Sequence, residues 1–279
     1  MKILGINCMN HDAAMAVVDF SSGVGEVLWA AHAERYSKVK NDHYLNWAIV
    51  NEAMTYGPFH KVVYYEKPWL KKTRQLYAGQ WSDAFSYTEL PQWHLDHFGI
   101  KIDEYVKHHD SHAAAGYFTS PFREATILTV DAIGEWDTVS ISTAEKIWIE
   151  RKETIQYPHS IGILYSAFTQ RCGLKPAEEE YILMGMAAYG EPKYKDHIYN
   201  DFVHQSPFKL KKNLHRGLSD WHPEADPMDL AASIQAVTEE CLADLWHRAS
   251  KYGSRNLVYA GGVALNCAAN KVLANLGLF

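Results

Sequence analysis

The sequence predicts an α/β protein built from two similar lobes. Three short strand-like segments open the chain and are followed by a helix and a further strand, and the same β-β-β-α-β order restarts near residue 125. The 279 residues, 47% of them hydrophobic, supply enough apolar material for two lobes with their own cores. Such a duplication places a cleft between the lobes, where strand ends face each other and a ligand is expected.

The first lobe is predicted to span residues 1–122. Its opening strands are the segments KILGINC, AAMAVVDF and GEVLWAAHAE, which are rich in β-forming residues or alternate between apolar and polar positions. A helix is predicted over 45–57, because Gly57 and Pro58 end the apolar periodicity there. The strand KVVYYE follows, then an aromatic stretch without a clear pattern, and then a last strand, EYVKHH.

The second lobe is predicted to span residues 123–279. Three segments are typical of strands: ATILTVD, DTVSISTA and KIWIERKE. Helices are expected over 160–172, 178–188 and 226–252, and the strand NLVYAGG then leads into a helix near 264–276. The chain stops after that helix, whereas the first lobe continues into another strand, so we expect the second lobe to be truncated at its C-terminus.

Charge and composition weigh against several classes of protein. A net charge of -6 gives no overall attraction to nucleic acid or to an anionic membrane, although residues 208–216 are locally basic. The four cysteines are far apart and show neither a disulfide framework nor a zinc motif. Polar residues at positions 7–12 interrupt the apolar N-terminus, and no apolar run reaches membrane-spanning length. We therefore expect a cytoplasmic protein without a membrane partner, and self-association into a homo-oligomer is left open.

The segment VKHHDSHAAAGYF places His108 and His112 four residues apart, where a strand-like run becomes an alanine-rich helical one. On a helix these positions share one face, so both imidazoles would approach the same cation. In a chain with 15 histidines, such a pair also arises by chance as surface polar groups. The spacing is therefore compatible with a metal site and with a bland helix.

Asp131 offers a third ligand at the end of the next predicted strand, in TVDAIGEWD. Two imidazoles and one carboxylate with open coordination positions suit Fe(II) or Mn(II), and also Zn(II). An Asx turn with Gly134 explains Asp131 equally well on local sequence.

The segment NLVYAGGVALNCAAN predicts a strand, a turn at Gly261 and Gly262, and a helix start. Backbone N–H groups of such a turn and the helix N-terminus suit a phosphate or a nucleotide. A tight strand-to-helix turn in any α/β protein has the same pattern, so the motif alone does not decide between the two.

Two polar motifs near the N-terminus are candidate catalytic or binding groups. His11 has Asp12 beside it, which is typical of a general base with an orienting carboxylate and also of a solvated turn. Lys38 and Lys40, in ERYSKVKNDH, either anchor an anionic donor or form an exposed basic face.

Taken together and in their order, these stretches resemble the family of nodulation-protein, tobramycin-type aminoglycoside and cephalosporin O-carbamoyltransferases. The similarity runs from residue 3 to about residue 273 and rests on several segments in sequence: ILGIN, HDAA, AERYSKVK, HHDSHAAAGYF, VDAIGEWDTVSI, HSIGILYSAFT, LMGMAAYG and AGGVALNCAAN. The resemblance implies a duplicated actin-like (ribonuclease H-like) fold, which agrees with the repeat above.

The resemblance also implies a reaction. Members of this family make carbamoyl adenylate from carbamoyl phosphate and ATP in a separate domain, and a metal-containing domain similar to tRNA threonylcarbamoyltransferases moves the carbamoyl group to an acceptor hydroxyl. By matched position, the metal ligands would be His108, His112 and Asp131, Lys40 would contact the carbamoyl adenylate, and His11 would be a base near the acceptor. The nucleotide would lie along three further residues, Gly261, Gly262 and Asn266.

Two features depart from the family pattern. In YILMGMAAYG, Ile182 stands where the family has a lysine and Ala188 where proline is common, so donor contacts there are expected to differ. The sequence also ends before the glycine-rich segment that gives the family its last metal ligand, and before the adenylate-forming domain. We therefore expect the chain to need that C-terminal domain, or a second chain, for the complete reaction.

The sequence is also compatible with other functions. Threonylcarbamoyl transfer to tRNA shares the HxxxH pattern, and a non-catalytic or half-enzyme subunit would account for the missing ligand and domain. The acceptor is expected to be a small-molecule hydroxyl, as in an antibiotic or a sugar, or a hydroxymethylated pyrimidine in DNA. An ordinary sugar kinase of the same fold has no use for two histidines and an aspartate in phosphoryl transfer.

Overall fold

A computed structural model of the chain describes residues 1–204, 206–218 and 220–279. The chain forms two compact units, Met1–Ser111 and His112–Phe279. The division falls within a helix, whereas the sequence places it after residue 122. Each unit contains one large mixed sheet with helices, so the class is α/β.

The first unit contains a five-stranded sheet. Its strands are β1 (Lys2–Asn7), β2 (Ala14–Asp19), β3 (Glu26–His32), β4 (Lys61–Tyr64) and β5 (Glu104–Tyr105). Their order across the sheet is β3-β2-β1-β4-β5. The first three strands are antiparallel neighbours, whereas β4 and β5 run parallel to β1. All five strands were predicted, although the last is only two residues long.

Five helices accompany this sheet. They are α1 (Glu34–Ser37), α2 (Trp47–Met54), α3 (Pro68–Tyr77), α4 (Trp81–Phe85) and α5 (Pro91–Asp96). The predicted helix is α2, which begins after Asn46 because that side chain accepts hydrogen bonds from two N–H groups of the first turn. The last three helices fill the aromatic stretch in which no element was predicted. Pro68 and Pro91 open α3 and α5, but exposed aromatic side chains obscure the apolar periodicity between them.

The core of the first unit forms between one sheet face and α2. Alternate residues of β1 and β2 point inward, so Leu4, Ile6, Met15 and Val17 are buried together. Ile49 of α2 belongs to the same cluster and is fully buried. This packing fixes the carboxyl ends of β1 and β4, from which the polar segments around residues 7–12 and 65–67 emerge.

The second unit repeats the strand order. Its main strands are β6 (Glu124–Gly134), β7 (Asp137–Glu145) and β8 (Trp148–Gln156), with a short hairpin of β9 (Val203–His204) and β10 (Lys209–Leu210), and finally β11 (Leu257–Ala260). The four-stranded sheet has the order β11-β6-β7-β8, in which β11 is parallel to β6 and the other pairs are antiparallel. This arrangement is the same as β4-β1-β2-β3 of the first unit, as the sequence repeat predicts.

The remaining helices are α6 (His108–Phe118), α7 (Ile161–Arg171), α8 (Glu180–Met186), α9 (Lys195–Phe202), α10 (Pro227–Ser250) and α11 (Cys267–Ala274), with 3-10 turns at Ala187–Tyr189 and Gly262–Leu265. Helix α9 and the β9–β10 hairpin were not predicted. Helix α10 begins after Asp226, whose side chain accepts from the N–H of Met228, and it packs against α7 through a buried apolar stripe. Among the described helices, none combines the length and apolar character needed to cross a membrane.

Candidate metal centre

Helix α6 carries both histidines of the HxxxH motif. The predicted strand EYVKHH is wrong beyond its first two residues, because β5 ends at Tyr105 and the helix begins at His108. The carbonyl of Lys107 already accepts the helical hydrogen bond from the N–H of Ser111. His108 and His112 are therefore one helical turn apart on one face, as the metal hypothesis requires.

Asp131 lies in a bulge of β6. Between the pairs Val130 with Val139 and Gly134 with Asp137, β6 advances four residues while β7 advances two. The two extra residues form a bulge that turns side chains of this segment away from the regular alternation. Asp131 therefore lies inside a long strand rather than at the end of a short one, and the bulge sets where its carboxylate points.

The three side chains come together. The ligand atoms of His108, His112 and Asp131 all lie within 4.8 Å of one another, and His112 Nε2 is 3.8 Å from Asp131 Oδ2. Ligand atoms bound to one ion at about 2.1 Å would be ~3.4 Å apart, so the group closes around an ion with side-chain shifts of about 1 Å. Two imidazoles and one carboxylate are a donor set for Fe(II), Mn(II) or Zn(II).

The burial of the three side chains is graded. The side chain of His108 is 8% exposed and that of Asp131 is 16% exposed, whereas His112 is 36% exposed. A group of this kind has a shielded side and a side open to a substrate oxygen, which suits a site with free coordination positions.

The turn after β11 meets Asp131 directly. Gly262 donates its N–H to Asp131 Oδ1 at 3.2 Å. Gly261 has a φ of +95°, and a Cβ there would stand 2.3 Å from the carbonyl oxygen of Val130. Only glycine therefore allows the turn to approach β6 this closely. The carboxylate of Asp131 thus holds this turn against β6.

Asn266 is placed as a helix cap. Its Oδ1 accepts from the N–H of Ala269 at 3.0 Å, at the start of α11. Its side-chain amide also exchanges two hydrogen bonds with that of Gln235, at 3.0 and 3.1 Å. The nucleotide role implied by the resemblance therefore falls on a residue that already holds α11 and α10 together.

The N-terminal candidates lie in the first unit. His11 Nδ1 is 2.8 Å from Asp12 Oδ2, so the predicted histidine–carboxylate pair forms, and the His11 side chain is 62% exposed. Lys40 is exposed just beyond α1. Lys38, in left-handed conformation, donates from Nζ to the carbonyl of Arg35 at 2.7 Å, so this second lysine is occupied locally.

Sequence reasoning did not single out Glu66, which lies beside His108. Glu66 follows β4 by two residues, is 5% exposed, and has Oε2 at 3.8 Å from His108 Nδ1. Burial raises the pKa of this carboxyl. The neighbouring His108 and Lys71 lower it by more, so the pKa lies below the usual value. An acidic residue directly after a buried strand was the available signal, the same one that marked Asp131.

Comparison with known families agrees with the motif order. A family model described as the carbamoyltransferase N-terminus matches residues 94–279, which include α6, Asp131 and the glycine turn. An uncharacterised protein of Synechocystis sp., sll1178, is 33% identical over 99% of this chain and 53% of its own length. The nodulation protein NolNO of Sinorhizobium fredii is 28% identical over 65% of this chain and 29% of its own length.

Among solved structures, HypF of T. kodakarensis superposes on 99% of this chain and 43% of its own, with a TM-score of 0.52 and 13% sequence identity. At this identity the likeness shows a shared fold alone. The chain spans about half the length, or less, of the curated relatives it matches. Since the family model covers two thirds of the residues, including the whole HxxxH helix, the chain belongs to the carbamoyltransferase family.

Proposed function

We propose that this chain is the transfer part of an O-carbamoyltransferase, which moves a carbamoyl group from carbamoyl adenylate to an acceptor hydroxyl with the help of a bound metal ion. The observation that carries the proposal is the convergence of His108, His112 and Asp131 in a member of the carbamoyltransferase family. The repeated strand order supports a duplicated, actin-like fold as the scaffold.

The donor set defines what an ion would contribute. His108, His112 and Asp131 would hold an Fe(II), Mn(II) or Zn(II) ion, which would supply Lewis-acid stabilisation of the negative charge on the departing phosphate. The exposed side of His112 leaves access for that phosphate, while the buried side of His108 keeps the ligand ring in place.

The transfer step needs only the donor, the acceptor and a base. The acceptor oxygen forms a bond to the carbamoyl carbon, and the bond between that carbon and the phosphate oxygen of AMP breaks, so AMP leaves with the electron pair. The acceptor proton passes to His11 Nε2, because the 2.8 Å contact of Nδ1 with Asp12 favours a proton on Nδ1. Lys40 supplies positive charge for the anionic donor.

The glycine turn supports nucleotide binding by its backbone. Glycines at positions 261 and 262 remove the side chains that would keep a nucleotide away from the strand-to-helix turn. Asn266 anchors the helix that follows this turn and so fixes its direction.

The acceptor belongs to a class defined by its hydroxyl. We propose a small-molecule alcohol, such as a sugar or antibiotic hydroxyl, with a hydroxymethylated pyrimidine in DNA as the second candidate. The exposed rings of Trp69, Trp81 and Phe85 in the segment of α3 and α4 would stack on a sugar or a base.

The test supplies the purified chain with Mn(II) and with carbamoyl adenylate labelled at the carbamoyl carbon. A separate adenylate-forming enzyme generates this donor in the same tube from labelled carbamoyl phosphate and ATP. Panels of aminoglycosides, sugars, hydroxymethylated DNA and tRNA serve as acceptors. The proposal predicts labelled carbamate ester on one hydroxyl class together with metal-dependent AMP release, both lost in His112→Ala. Label on tRNA alone, or full transfer by the folded His112→Ala variant, would contradict it.

A further inference from the structure

Glu66 is a buried carboxylate that the transfer chemistry above does not use. It lies at the carboxyl end of β4 and is 5% exposed. Moving a carboxylate out of water is unfavourable unless charges and hydrogen bonds around it offset the loss of hydration. The contacts of its two oxygens must therefore offset this cost.

The two oxygens of Glu66 have different neighbours. Oε1 is 3.1 Å from Lys71 Nζ, in the first turns of α3, and the Lys71 side chain is 23% exposed. Oε2 faces His108 Nδ1 at 3.8 Å. The lysine therefore fixes one end of the carboxylate, and the other end is directed at the imidazole of a candidate metal ligand.

The ring of His108 is held from a second direction. The ring of Tyr65 lies against it, with centroids 5.3 Å apart and planes at 60°. Ser111, in the first turn of α6, donates its hydroxyl to the carbonyl of Tyr65 at 2.8 Å. The segment after β4 thus contacts α6 through a hydrogen bond, a ring contact and a carboxylate, and all three act on the turn that begins with His108.

We propose that Glu66 is a positioning residue for the metal centre: when the ring of His108 shifts by about 1 Å to bind the ion, the Glu66 carboxylate, now 3.8 Å away, receives its Nδ1–H, fixes the tautomer and ring orientation, and leaves Nε2 to the ion. The inference rests on the metal centre of the proposed function. A carboxylate behind a ligating histidine raises the basicity of the ring and fixes its direction, and its loss costs metal affinity without removing a ligand.

The geometry of the pair suits the tautomer that this role requires. A neutral His108 bound to an ion through Nε2 keeps its proton on Nδ1, where the Glu66 carboxylate faces it. The two groups therefore complement each other when the ion is present.

The test measures Mn(II) affinity by electron paramagnetic resonance and the visible spectrum of the Co(II)-loaded chain. We expect Glu66→Gln to weaken Mn(II) binding about 10- to 100-fold and to change the Co(II) spectrum. Glu153→Gln, which removes a half-buried carboxylate from an arginine pair in the second unit, is the matched control and should leave both readouts unchanged.

A double-mutant cycle separates positioning from a general structural role. In the His108→Ala background, Glu66→Gln should weaken Mn(II) binding no further, because the carboxylate acts only through that ring. If Glu66→Gln does not fold, Glu66→Asp keeps the charge on a shorter side chain and should weaken binding by a smaller factor.

The outcomes distinguish this inference from the function on which it rests. A wild-type chain that binds no Mn(II) or Co(II) contradicts the metal centre itself. Wild-type binding with unchanged affinity and spectrum in folded Glu66→Gln, or in Glu66→Asp when only that variant folds, overturns the positioning role and leaves the centre standing. An equal loss in both His108 backgrounds also overturns it, because Glu66 would then act independently of the ring.

Discussion

One carboxylate oxygen of Asp131 accepts the N–H of Gly262 at 3.2 Å, while the other lies 3.8 Å from Nε2 of His112. A single side chain on the β6 bulge therefore contacts both the HxxxH helix and the glycine turn. In the proposed enzyme, Asp131 would bind the ion with one oxygen and hold the glycine turn with the other.

Substitutions of Asp131 should separate these two contacts. Asp131→Asn keeps an oxygen for Gly262 but loses the charge, so we expect Mn(II) affinity to fall on the order of 100-fold with little change in the turn. Asp131→Ala should lose the same affinity and also loosen the turn, visible as faster amide hydrogen exchange at Gly262. Equal exchange in both variants would show that the hydrogen bond does not hold the turn.

The conformation of Gly261 makes a second prediction. Gly261→Ala would place a methyl group 2.3 Å from the Val130 carbonyl oxygen at a φ of +95°, so we expect the free energy of unfolding to fall by about 3 kcal/mol. Gly253→Ala is the control, because its φ is +83° but no atom lies within 4 Å of the added Cβ. Chemical denaturation should give a loss of about 1 kcal/mol there. Equal losses would remove the steric part of the argument.

Asn266 should show a structural effect that depends on which atoms remain. Asn266→Ala removes the α11 cap and the partner of Gln235, so we expect a loss of about 2 kcal/mol in stability. Asn266→Asp keeps the capping oxygen and should lose less than about 1 kcal/mol. If Asn266 also contacts nucleotide, AMP affinity measured by calorimetry should fall in Asn266→Asp despite its near-normal stability.

The pair of Glu153 and Arg248 predicts a pH-dependent stability. Burial raises the pKa of Glu153, but hydrogen bonds from Arg248 and Tyr252 outweigh it and bring the pKa below its ordinary value of 4.5. A lowered pKa stabilises the fold above the unfolded-state pKa, and this contribution is lost as the pH falls through the folded-state pKa.

We therefore expect Glu153→Gln to cost about 1 kcal/mol at neutral pH and progressively less as the pH is lowered to about 3, measured by urea unfolding. Glu150→Gln on the same strand is the control, since its side chain is 72% exposed and pairs only with Lys152 among the contacts described. A cost for Glu153→Gln that stays constant over this pH range would contradict the ion-pair explanation.

The fold was predictable where local pattern and tertiary packing agree. The helix α10 combines an aspartate cap, a proline in the first turn and a long apolar stripe, and its predicted bounds differ from the observed ones by about two residues. The short helices α3 to α5 were not predictable by the same reasoning, because their exposed aromatic side chains give no single apolar face.

The three side chains of the candidate site could be singled out from the sequence, but the residues and the bulge that support them could not. The spacing of His108 and His112 fixes their common helix face, and the acidic residue at the end of the apolar run ATILTV was the signal for Asp131, although β6 continues past it to Gly134. Glu66 has the same kind of position after an apolar run, but nothing in the sequence links it to His108, because their contact arises only from the parallel pairing of β4 with β5. The bulge that directs Asp131 is likewise a property of the β6–β7 register, which sequence alone does not give.

The most direct measurement is the Mn(II) stoichiometry and affinity of the purified chain and its histidine variants, with folding checked by circular dichroism. We predict one tightly bound Mn(II) per wild-type chain, much weaker Mn(II) binding in His108→Ala and in His112→Ala, and unchanged binding in His247→Ala, which removes an exposed histidine from α10. Unchanged occupancy in folded His108→Ala and His112→Ala would contradict a metal centre at these residues.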